Sequence, residues 1–270
     1  STNNEHISTE TYYRFLIQKI MPFYQKVLYL DSDIIINADI ARLYDTELGD
    51  NLLAACRDID YLGNLNIKIG NKRMAYTKNI LGMHDPYAYF QAGVLVLNTK
   101  AMRERYTLNQ WLQYASNPAY IYNDQDVLNV HCEGSVTYLD WEWDVVHDCD
   151  GRVANVFSYA PNDIFDAYMR SRNNPKIIHY AGFIKPWTDP TCDFAEVYWS
   201  YARQTPFYEK LVKRVAEAIA PNQQRIIYKQ HEPAIGDTNP LRKFIDPLAP
   251  LGSRRREMMK SVGRLLRGRR

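Results

Sequence analysis

The chain has 270 residues, of which 46% are hydrophobic, so it is long enough to bury a sizeable core in one large domain. Its net charge of +2 hides an asymmetry, because residues 253–270 carry eight Lys and Arg against one Glu and the preceding residues sum to about −5. No apolar run reaches the length of a membrane span. The four cysteines lack zinc spacing and are predicted to be free thiols in a reducing compartment.

The first predicted element is a helix that is capped by Ser8 or Thr9 and ended by Pro22. Its apolar residues share one face, and Arg14 lies off that face. On this pattern alone, Arg14 is expected to be a solvated helix residue. Residues 38–44 predict a second, short helix.

A run of β-branched and aromatic residues at 27–30 predicts a buried strand of a parallel sheet that ends at Asp31 and Asp33. Residues i and i+2 of extended backbone point to the same side, so the two carboxylates face one spot about 6–7 Å apart along the chain. Such a pair repels unless a cation lies between its members, and Asp oxygens suit Mg²⁺ or Mn²⁺. The alternative is a strand that ends in an Asp-rich turn with solvated side chains.

Residues 52–56 predict another strand. Residues 61–89 are expected to form a long loop, because Gly, Asn, Lys and Tyr interrupt any regular pattern there. Residues 90–98, FQAGVLVLN, predict a strand in which Gly93 allows a ligand or another strand to approach the backbone closely. A helix to about Ser116 is expected to follow.

The motif NDQDVLN, residues 123–129, places Asp124, Gln125 and Asp126 at the start of a helix. Acidic side chains are common there because they cap backbone amides and interact favourably with the helix dipole. Capping accounts for the acids but does not explain the Gln between them. Residues 136–139 predict a further strand.

Residues 176–180 predict a strand that ends at His179 and continues into a turn containing Gly182 and Lys185. A lone His is more often structural than a ligand, but His179 shares its strand-end position with the aspartate pair. Ligands of open α/β sheets bind at the carboxyl ends of the strands. These three side chains together are therefore a candidate O,O,N ligand set for a metal. Two helices are expected after this turn.

Four motifs, LYLDSD, YFQAGVLVLN, NDQDVLN and HYAGFIKPW, occur in this order, and through them residues 4–190 resemble a family 8 glycosyltransferase. The bacterial enzymes that add galactose or glucose to lipopolysaccharide and other surface glycans are the most similar members, and glycogenin is a distant one. The resemblance implies an α/β, GT-A-type nucleotide-diphospho-sugar transferase fold with a mixed, mostly parallel sheet. It also implies a UDP-sugar donor, a Mn²⁺ or Mg²⁺ ion and retention of the anomeric configuration.

The same resemblance gives roles to individual residues. The implied metal ligands are Asp31, Asp33 and His179. The implied donor-binding residues are Arg14, Gln91, Ala92, Gly93, Gly182 and Lys185, the last two in the turn that grips the diphosphate. The implied catalytic residues are Asp124, which binds sugar hydroxyls, Gln125, beside the anomeric carbon, and Asp126.

Two departures from the family stand out. Gln91 replaces an Asn that normally contacts the donor sugar, and its longer side chain is expected to alter sugar choice or weaken binding. The N-terminal βαβ segment of the family, which bears the uracil and ribose contacts, is missing from the sequence given. The expectation is that the sequence is truncated, because the remaining motifs are intact.

The predicted organisation is a catalytic domain at 1–220, a Pro-rich linker at 221–253 and a basic amphipathic tail at 254–270. The tail is expected to bind an anionic membrane surface rather than nucleic acid. That places the protein in the cytoplasm, peripheral at the inner face of the membrane, with a glycan or lipid-linked acceptor. Two other functions stay open: a non-catalytic glycan-binding or scaffold protein, and a phosphatase or phosphotransferase with its nucleophile in the DxD motif.

Overall fold

The structure is a computed structural model that describes residues 9–67 and 72–217. The predicted linker at 221–253 and the predicted tail at 254–270 lie outside the described residues. Within the described ranges, no helix combines the length and the apolar character that crossing a membrane requires.

Short strands alternate with helices along the described residues. The strands are β1 (Val27–Leu30), β2 (Ile34–Ile36), β3 (Leu53–Arg57), β4 (Phe90–Leu97), β5 (Val136–Tyr138), β6 (Val145–Val146) and β7 (Ile177–His179). The α-helices are α1 (Ile17–Ile20), α2 (Ala41–Tyr44), α3 (Ile59–Asn66), α4 (Arg73–Asn79), α5 (Thr99–Arg105), α6 (Leu108–Ala115), α7 (Asn123–Cys132), α8 (Arg152–Asn155), α9 (Asn162–Ser171) and α10 (Ala195–Ala202). The 3-10 helices are Thr9–Leu16, Pro86–Ala88, Trp141–Trp143 and Phe157–Tyr159. Residues 208–217 are also helical.

The strands form two mixed sheets, with the orders β1-β4-β3-β5 and β2-β7-β6. The β1–β4, β3–β4 and β2–β7 pairs are antiparallel, whereas β3–β5 and β6–β7 are parallel. The mixed α/β class is confirmed, but the pairing differs from the mostly parallel sheet that was expected. The reason is that β4 runs between β1 and β3 in the direction opposite to both. In the described part of the chain β1 is an edge strand and is only half-buried.

The core lies on both faces of the four-stranded sheet. Successive side chains of a strand point to opposite faces. Along β3, Leu53 and Ala55 therefore pack in one apolar cluster, which also contains Trp111, while Ala54 and Cys56 pack in a second cluster. Burial of both faces explains why β3 and β4 have nearly continuous apolar sequences.

Two stretches differ from the secondary structure that the sequence predicts. Residues 61–89, expected as a loop, contain most of α3, all of α4 and a 3-10 turn. Asp58 caps α3 by accepting a hydrogen bond from the backbone of Tyr61. The single helix expected after β4 is divided into α5 and α6, because Thr107 and Gln110 form a capping box that begins a new helix.

The segment between β1 and β2 connects the two sheets and carries Asp31 and Asp33. The backbone N–H of Asp31 donates to the carbonyl of Gly93 on β4 at 2.8 Å. The backbone N–H of Tyr180, just after β7, donates to the carbonyl of Asp33 at 2.9 Å. Backbone pairing thus holds the segment where the carboxyl ends of β1 and β7 meet.

Candidate active site

Asp31, Asp33 and His179 lie together where β1 and β7 end, and we call them the strand-end triad. Each offers one possible ligand atom, and these atoms lie within 4.8 Å of one another. Nε2 of His179 is 3.4 Å from Oδ1 of Asp33 and 3.8 Å from Oδ2 of Asp31. The structure therefore brings together all three side chains that the sequence suggested as metal ligands.

The ring of His179 is held from two sides. On one side, its Nδ1 is 2.9 Å from Oδ1 of Asp144, whose side chain is only 1% exposed. On the other side lies Gly93, where an added Cβ would overlap Cε1 of His179 and lie 2.8 Å from Oδ2 of Asp31. The close approach of the ring to β4 therefore requires a glycine at position 93. Sequence reasoning missed Asp144, because no pattern around it identified its partner.

Positive charge at the triad resides on His179 and Lys185. Burial opposes protonation of His179, but Asp144 and Asp33 outweigh it and raise the pKa of His179 to about 10. Nζ of Lys185 donates to Oδ2 of Asp33 and to the carbonyl of Tyr180, both at 2.5 Å. Burial opposes ionisation of Asp33, yet the His179 and Lys185 cations hold its pKa below the usual range.

The donor set fits a hard divalent cation. Carboxylate oxygens and an imidazole nitrogen are suitable ligands for Mg²⁺ or Mn²⁺. Two atoms that ligate one ion at about 2.0–2.3 Å lie at most roughly 4.6 Å apart, so the triad needs only a small side-chain adjustment. The raised pKa of His179, which comes first from Asp144 and then from Asp33, indicates that the carboxylates around its ring favour a positive charge there. A metal would replace the proton of His179.

Arg14 is buried, in contrast to the solvated position that its helix pattern suggested. Its Nε is 2.9 Å from Oδ2 of Asp124, and its Nη2 is 3.4 Å from Oδ1 of Asp31 and donates to the hydroxyl of Tyr29 at 3.0 Å. Its Nη1 donates to the carbonyl of Ala92. Arg14 thus connects β1, β4 and α7, which are distant in sequence.

Gln125 extends these contacts from β4 to β3. Its Oε1 accepts a hydrogen bond from the backbone N–H of Ala92 at 2.9 Å, and its Nε2 donates to Oδ2 of Asp58 at 2.9 Å. Burial and the neighbouring Asp60 raise the pKa of Asp58 to about 6. Burial also raises the pKa of Asp124 to about 6, although Arg14 opposes this shift. Asp58 was not predicted, but it follows β3 directly, so the strand-end signal was present.

Two other candidates for donor binding, Gln91 and Gly182, make close contacts with the protein around them. Oε1 of Gln91 accepts a hydrogen bond from the backbone N–H of Gly93, so its amide turns back onto its own strand. Gly182 has φ +98°, a conformation that favours glycine. An added Cβ at Gly182 would lie 3.0 Å from Sγ of Cys149. The turn that leads to Lys185 therefore packs closely against the segment after β6.

Asp126 is buried like Asp124, but its carboxylate contacts different groups. One carboxylate oxygen accepts from the hydroxyl of Tyr89 at 2.6 Å. The other accepts from the hydroxyl of Tyr76 at 2.5 Å and from the backbone N–H of Tyr122 at 2.7 Å. We call these three donors the tyrosine cage. Both oxygens of Asp126 are thus occupied by donors of the protein, and the catalytic role expected for Asp126 stays a prediction.

The family can now be stated. The sequence matches glycosyl transferase family 8 over residues 1–191. The chain belongs to this family. Its relatives include the lipopolysaccharide 1,2-glucosyltransferase of Escherichia coli strain K12, which is 25% identical over 187 residues, or 67% of this chain.

Solved structures of similar chains agree with the fold. The apo structure of the bifunctional glycosyltransferase WbbM is 32% identical, with a TM-score of 0.69 over 78% of this chain. An active-site mutant of LgtC is 30% identical, with a TM-score of 0.60 over 76% of this chain. The fold is therefore of the GT-A type, as expected. The chain spans 49% of the E. coli enzyme, 38% of the WbbM chain and 70% of the LgtC chain.

Proposed function

We propose that the chain transfers a hexose, galactose or glucose, from a UDP-sugar to a surface-glycan or lipid-linked acceptor, with retention of the anomeric configuration. The observation that carries the proposal is the strand-end triad, whose ligand atoms lie within 4.8 Å of one another beside Lys185. Membership of family 8 supports the reaction class. The relatives named for galactose or glucose transfer support the hexose, and LgtC in complex with donor and acceptor sugar analogues supports a two-substrate site.

The triad would hold Mn²⁺ or Mg²⁺ through Asp31, Asp33 and His179. When bound, a divalent cation supplies positive charge against the negative charge that develops on the leaving diphosphate. Lys185, which lies next to Asp33, would bind the same diphosphate once it is released from that carboxylate. Gly182 leaves room for the turn that carries Lys185.

The contacts of Arg14 and Gln125 position the groups around the transferred sugar. Arg14 orients Asp124 and Asp31 through two ion pairs, so both carboxylates face one region. Asp124 would bind sugar hydroxyls, and the amide of Gln125 would lie beside the anomeric carbon. Carboxylate and amide oxygens there favour the positive charge that develops on the sugar during transfer. Gln91, Ala92 and Gly93 would line the donor site from β4.

Titration calorimetry of the full chain with UDP, in the presence and absence of Mn²⁺, tests the proposal against both alternatives. We expect UDP to bind only with Mn²⁺, and Asp33→Asn to lose this binding. Asp140→Asn is the matched control, because Asp140 is an exposed Asp outside the site. Metal-dependent binding of inorganic phosphate without UDP would favour the phosphatase reading, and glycan binding without UDP or metal would favour the non-catalytic one.

The donor sugar and the stereochemistry need a second measurement. Proton NMR of the products formed from UDP-galactose and UDP-glucose would identify the preferred hexose, and the anomeric coupling constant would report retention or inversion. A β-linked product from an α-linked donor would exclude retention.

Membrane association through residues 254–270 stays a prediction of the sequence, as does the location at the inner face of the membrane. The full chain is expected to sediment with anionic vesicles at low salt and to be released as salt rises through physiological strength. Deletion of 254–270 should abolish sedimentation. Equal sedimentation of the deleted chain would show that the tail is not the anchor.

A further inference from the structure

The buried carboxylate of Asp144 lies behind the strand-end triad and contacts none of its aspartates directly. Asp144 comes just before β6, which pairs in parallel with β7 so that Val146 is opposite His179. This pairing brings Asp144, just before β6, next to His179 on β7, with Oδ1 and Nδ1 2.9 Å apart. The side chain of Asp144 is 1% exposed and that of His179 is 2% exposed. The contact is therefore shielded from water.

A carboxylate without a proton can only accept hydrogen bonds, whereas neutral imidazole carries one N–H and one lone pair. The contact with Asp144 thus requires the proton on Nδ1 and leaves the lone pair on Nε2. Nε2 is the nitrogen that faces Asp31 and Asp33, at 3.8 and 3.4 Å. Histidines that ligate metals commonly donate their other N–H to a carboxylate, which fixes the tautomer and the ring orientation.

We propose that Asp144 is a positioning residue for the metal centre, which fixes His179 as the Nδ1–H tautomer with Nε2 directed at the ion. The proposal rests on the metal-dependent transfer proposed above. It deepens that function by naming a residue that acts on the metal only through His179.

Two further observations favour positioning over simple packing. Burying a carboxylate is costly unless it is fully hydrogen-bonded, and Oδ2 of Asp144 has no hydrogen-bond partner among the described residues. Gly93 lies against Cε1 of the ring, where an added side chain would overlap it, so Asp144 and Gly93 both restrict the position of the ring.

Asparagine is the informative substitution, because its amide has the shape of the carboxylate but can present either oxygen or NH₂ to Nδ1. An NH₂ group facing Nδ1 would favour the opposite tautomer, with the proton on Nε2. The test compares the full chain with Asp144→Asn, Asp144→Leu and the exposed control Asp140→Asn. The affinity for Mn²⁺ alone, without nucleotide, is measured by the electron paramagnetic resonance signal of free Mn²⁺.

We expect Asp144→Asn and Asp144→Leu to bind Mn²⁺ about 10–100-fold more weakly than the unsubstituted chain, and Asp140→Asn to bind it equally. Folded variants that bind Mn²⁺ as tightly as the unsubstituted chain would overturn the positioning role while leaving the transferase proposal intact. If the unsubstituted chain binds UDP and transfers hexose without any Mn²⁺ or Mg²⁺, both the metal centre and the positioning role are wrong.

A second measurement needs no variant and so does not depend on how a substitution folds. Nitrogen-15 NMR of the Mg²⁺-saturated full chain reports the protonation of each ring nitrogen of His179. We expect a proton on Nδ1 and none on Nε2. A proton on Nε2, or an unprotonated Nδ1, would overturn the proposal.

Discussion

The strand-end triad holds two half-buried aspartates and the tyrosine cage one buried aspartate, and the two sites stabilise their carboxylates in different ways. In the cage, neutral hydroxyl and amide donors occupy both oxygens of Asp126 at 2.5–2.7 Å. In the triad, the carboxylates of Asp31 and Asp33 converge with each other and are balanced by the cations His179 and Lys185. Both oxygens of Asp126 therefore already have hydrogen-bond donors. The triad would exchange one positive charge for another if a metal displaced the proton of His179.

Burial alone therefore does not distinguish a structural aspartate from a functional one in this chain. Asp124 and Asp126 are both buried and only two residues apart in one helix. Asp124 pairs with Arg14, which also contacts the triad, whereas Asp126 accepts hydrogen bonds from the cage. The two aspartates therefore differ in their partners rather than in their burial.

The largest effect is expected for Asp33→Asn, which removes one charge from the triad without changing the shape of the side chain. Transfer from the UDP-hexose should fall at least about 100-fold, because the site loses a ligand that balances both Lys185 and a metal. The melting temperature should change little, since backbone pairing with Tyr180 holds this segment. Initial rates and thermal unfolding measure the two effects.

Asp140→Asn is the control for Asp33→Asn and should keep both the transfer rate and the melting temperature. An Asp33→Asn chain that retained more than a tenth of the transfer rate would show that the triad is not the catalytic metal site. The triad and the cage would then no longer differ in function.

Asp126→Asn should have the opposite effects, because it should lower the stability of the fold and leave Mn²⁺ binding unchanged. The amide replaces one accepting oxygen of the cage by a donor, which disturbs the hydrogen bond with Tyr76 or Tyr89. We expect a loss of about 1–3 kcal/mol in the free energy of unfolding, measured with urea. Mn²⁺ affinity should stay within about twofold of the unsubstituted chain, because the cage does not contact the triad.

Tyr89→Phe is the matched partner of Asp126→Asn, since it removes one donor of the cage and leaves the carboxylate. It should also destabilise the fold without weakening Mn²⁺ binding. If Asp126→Asn instead reduced transfer about 100-fold with unchanged stability, the catalytic role implied by the family resemblance would be restored.

The sequence predicted the triad because each member lies at the end of an apolar strand or within three residues of it, which is a local signal. It did not predict Asp144, because the contact with His179 depends on the register between β6 and β7. The burial of Arg14 was not predicted from its helix pattern for a similar reason, since its partners lie on or beside β1, β4 and α7. Helices α3 and α4 were missed because their polar and glycine residues resemble a loop, and tertiary packing stabilises them.

The relative directions of the strands could not be predicted from local sequence patterns either. A buried strand has a continuous apolar sequence whether its neighbours are parallel or antiparallel, so the run at β1 suggested the wrong pairing. The capping box at Thr107 was visible in the sequence, and it should have indicated the break between α5 and α6.

The last expected effect is on the pH dependence of stability and concerns Asp58, whose surroundings share features with both the triad and the cage. One oxygen accepts from the backbone of Tyr61 and the other from Gln125, as in a completed site. Burial and Asp60 nevertheless raise its pKa to about 6. Its folded pKa is therefore above its unfolded value of about 3.8. The unfolded chain releases this proton first as the pH rises, so the folded state loses stability between about pH 4 and pH 6.

Asp58→Asn removes this titration while keeping a residue that caps helices equally well. The stability of the unsubstituted chain should fall relative to the variant as the pH rises from 4 to 7, by on the order of 1–3 kcal/mol. Urea unfolding at four pH values measures the difference in the free energy of unfolding between the two chains. The change of this difference with pH is more informative than its absolute size. Asp140→Asn should follow the unsubstituted chain throughout. If the free energies of unfolding of the unsubstituted chain and of Asp58→Asn changed in parallel with pH, folding would not raise the pKa of Asp58. Asp58 would then stay ionised in the folded chain, as Asp33 of the triad does beside its cations.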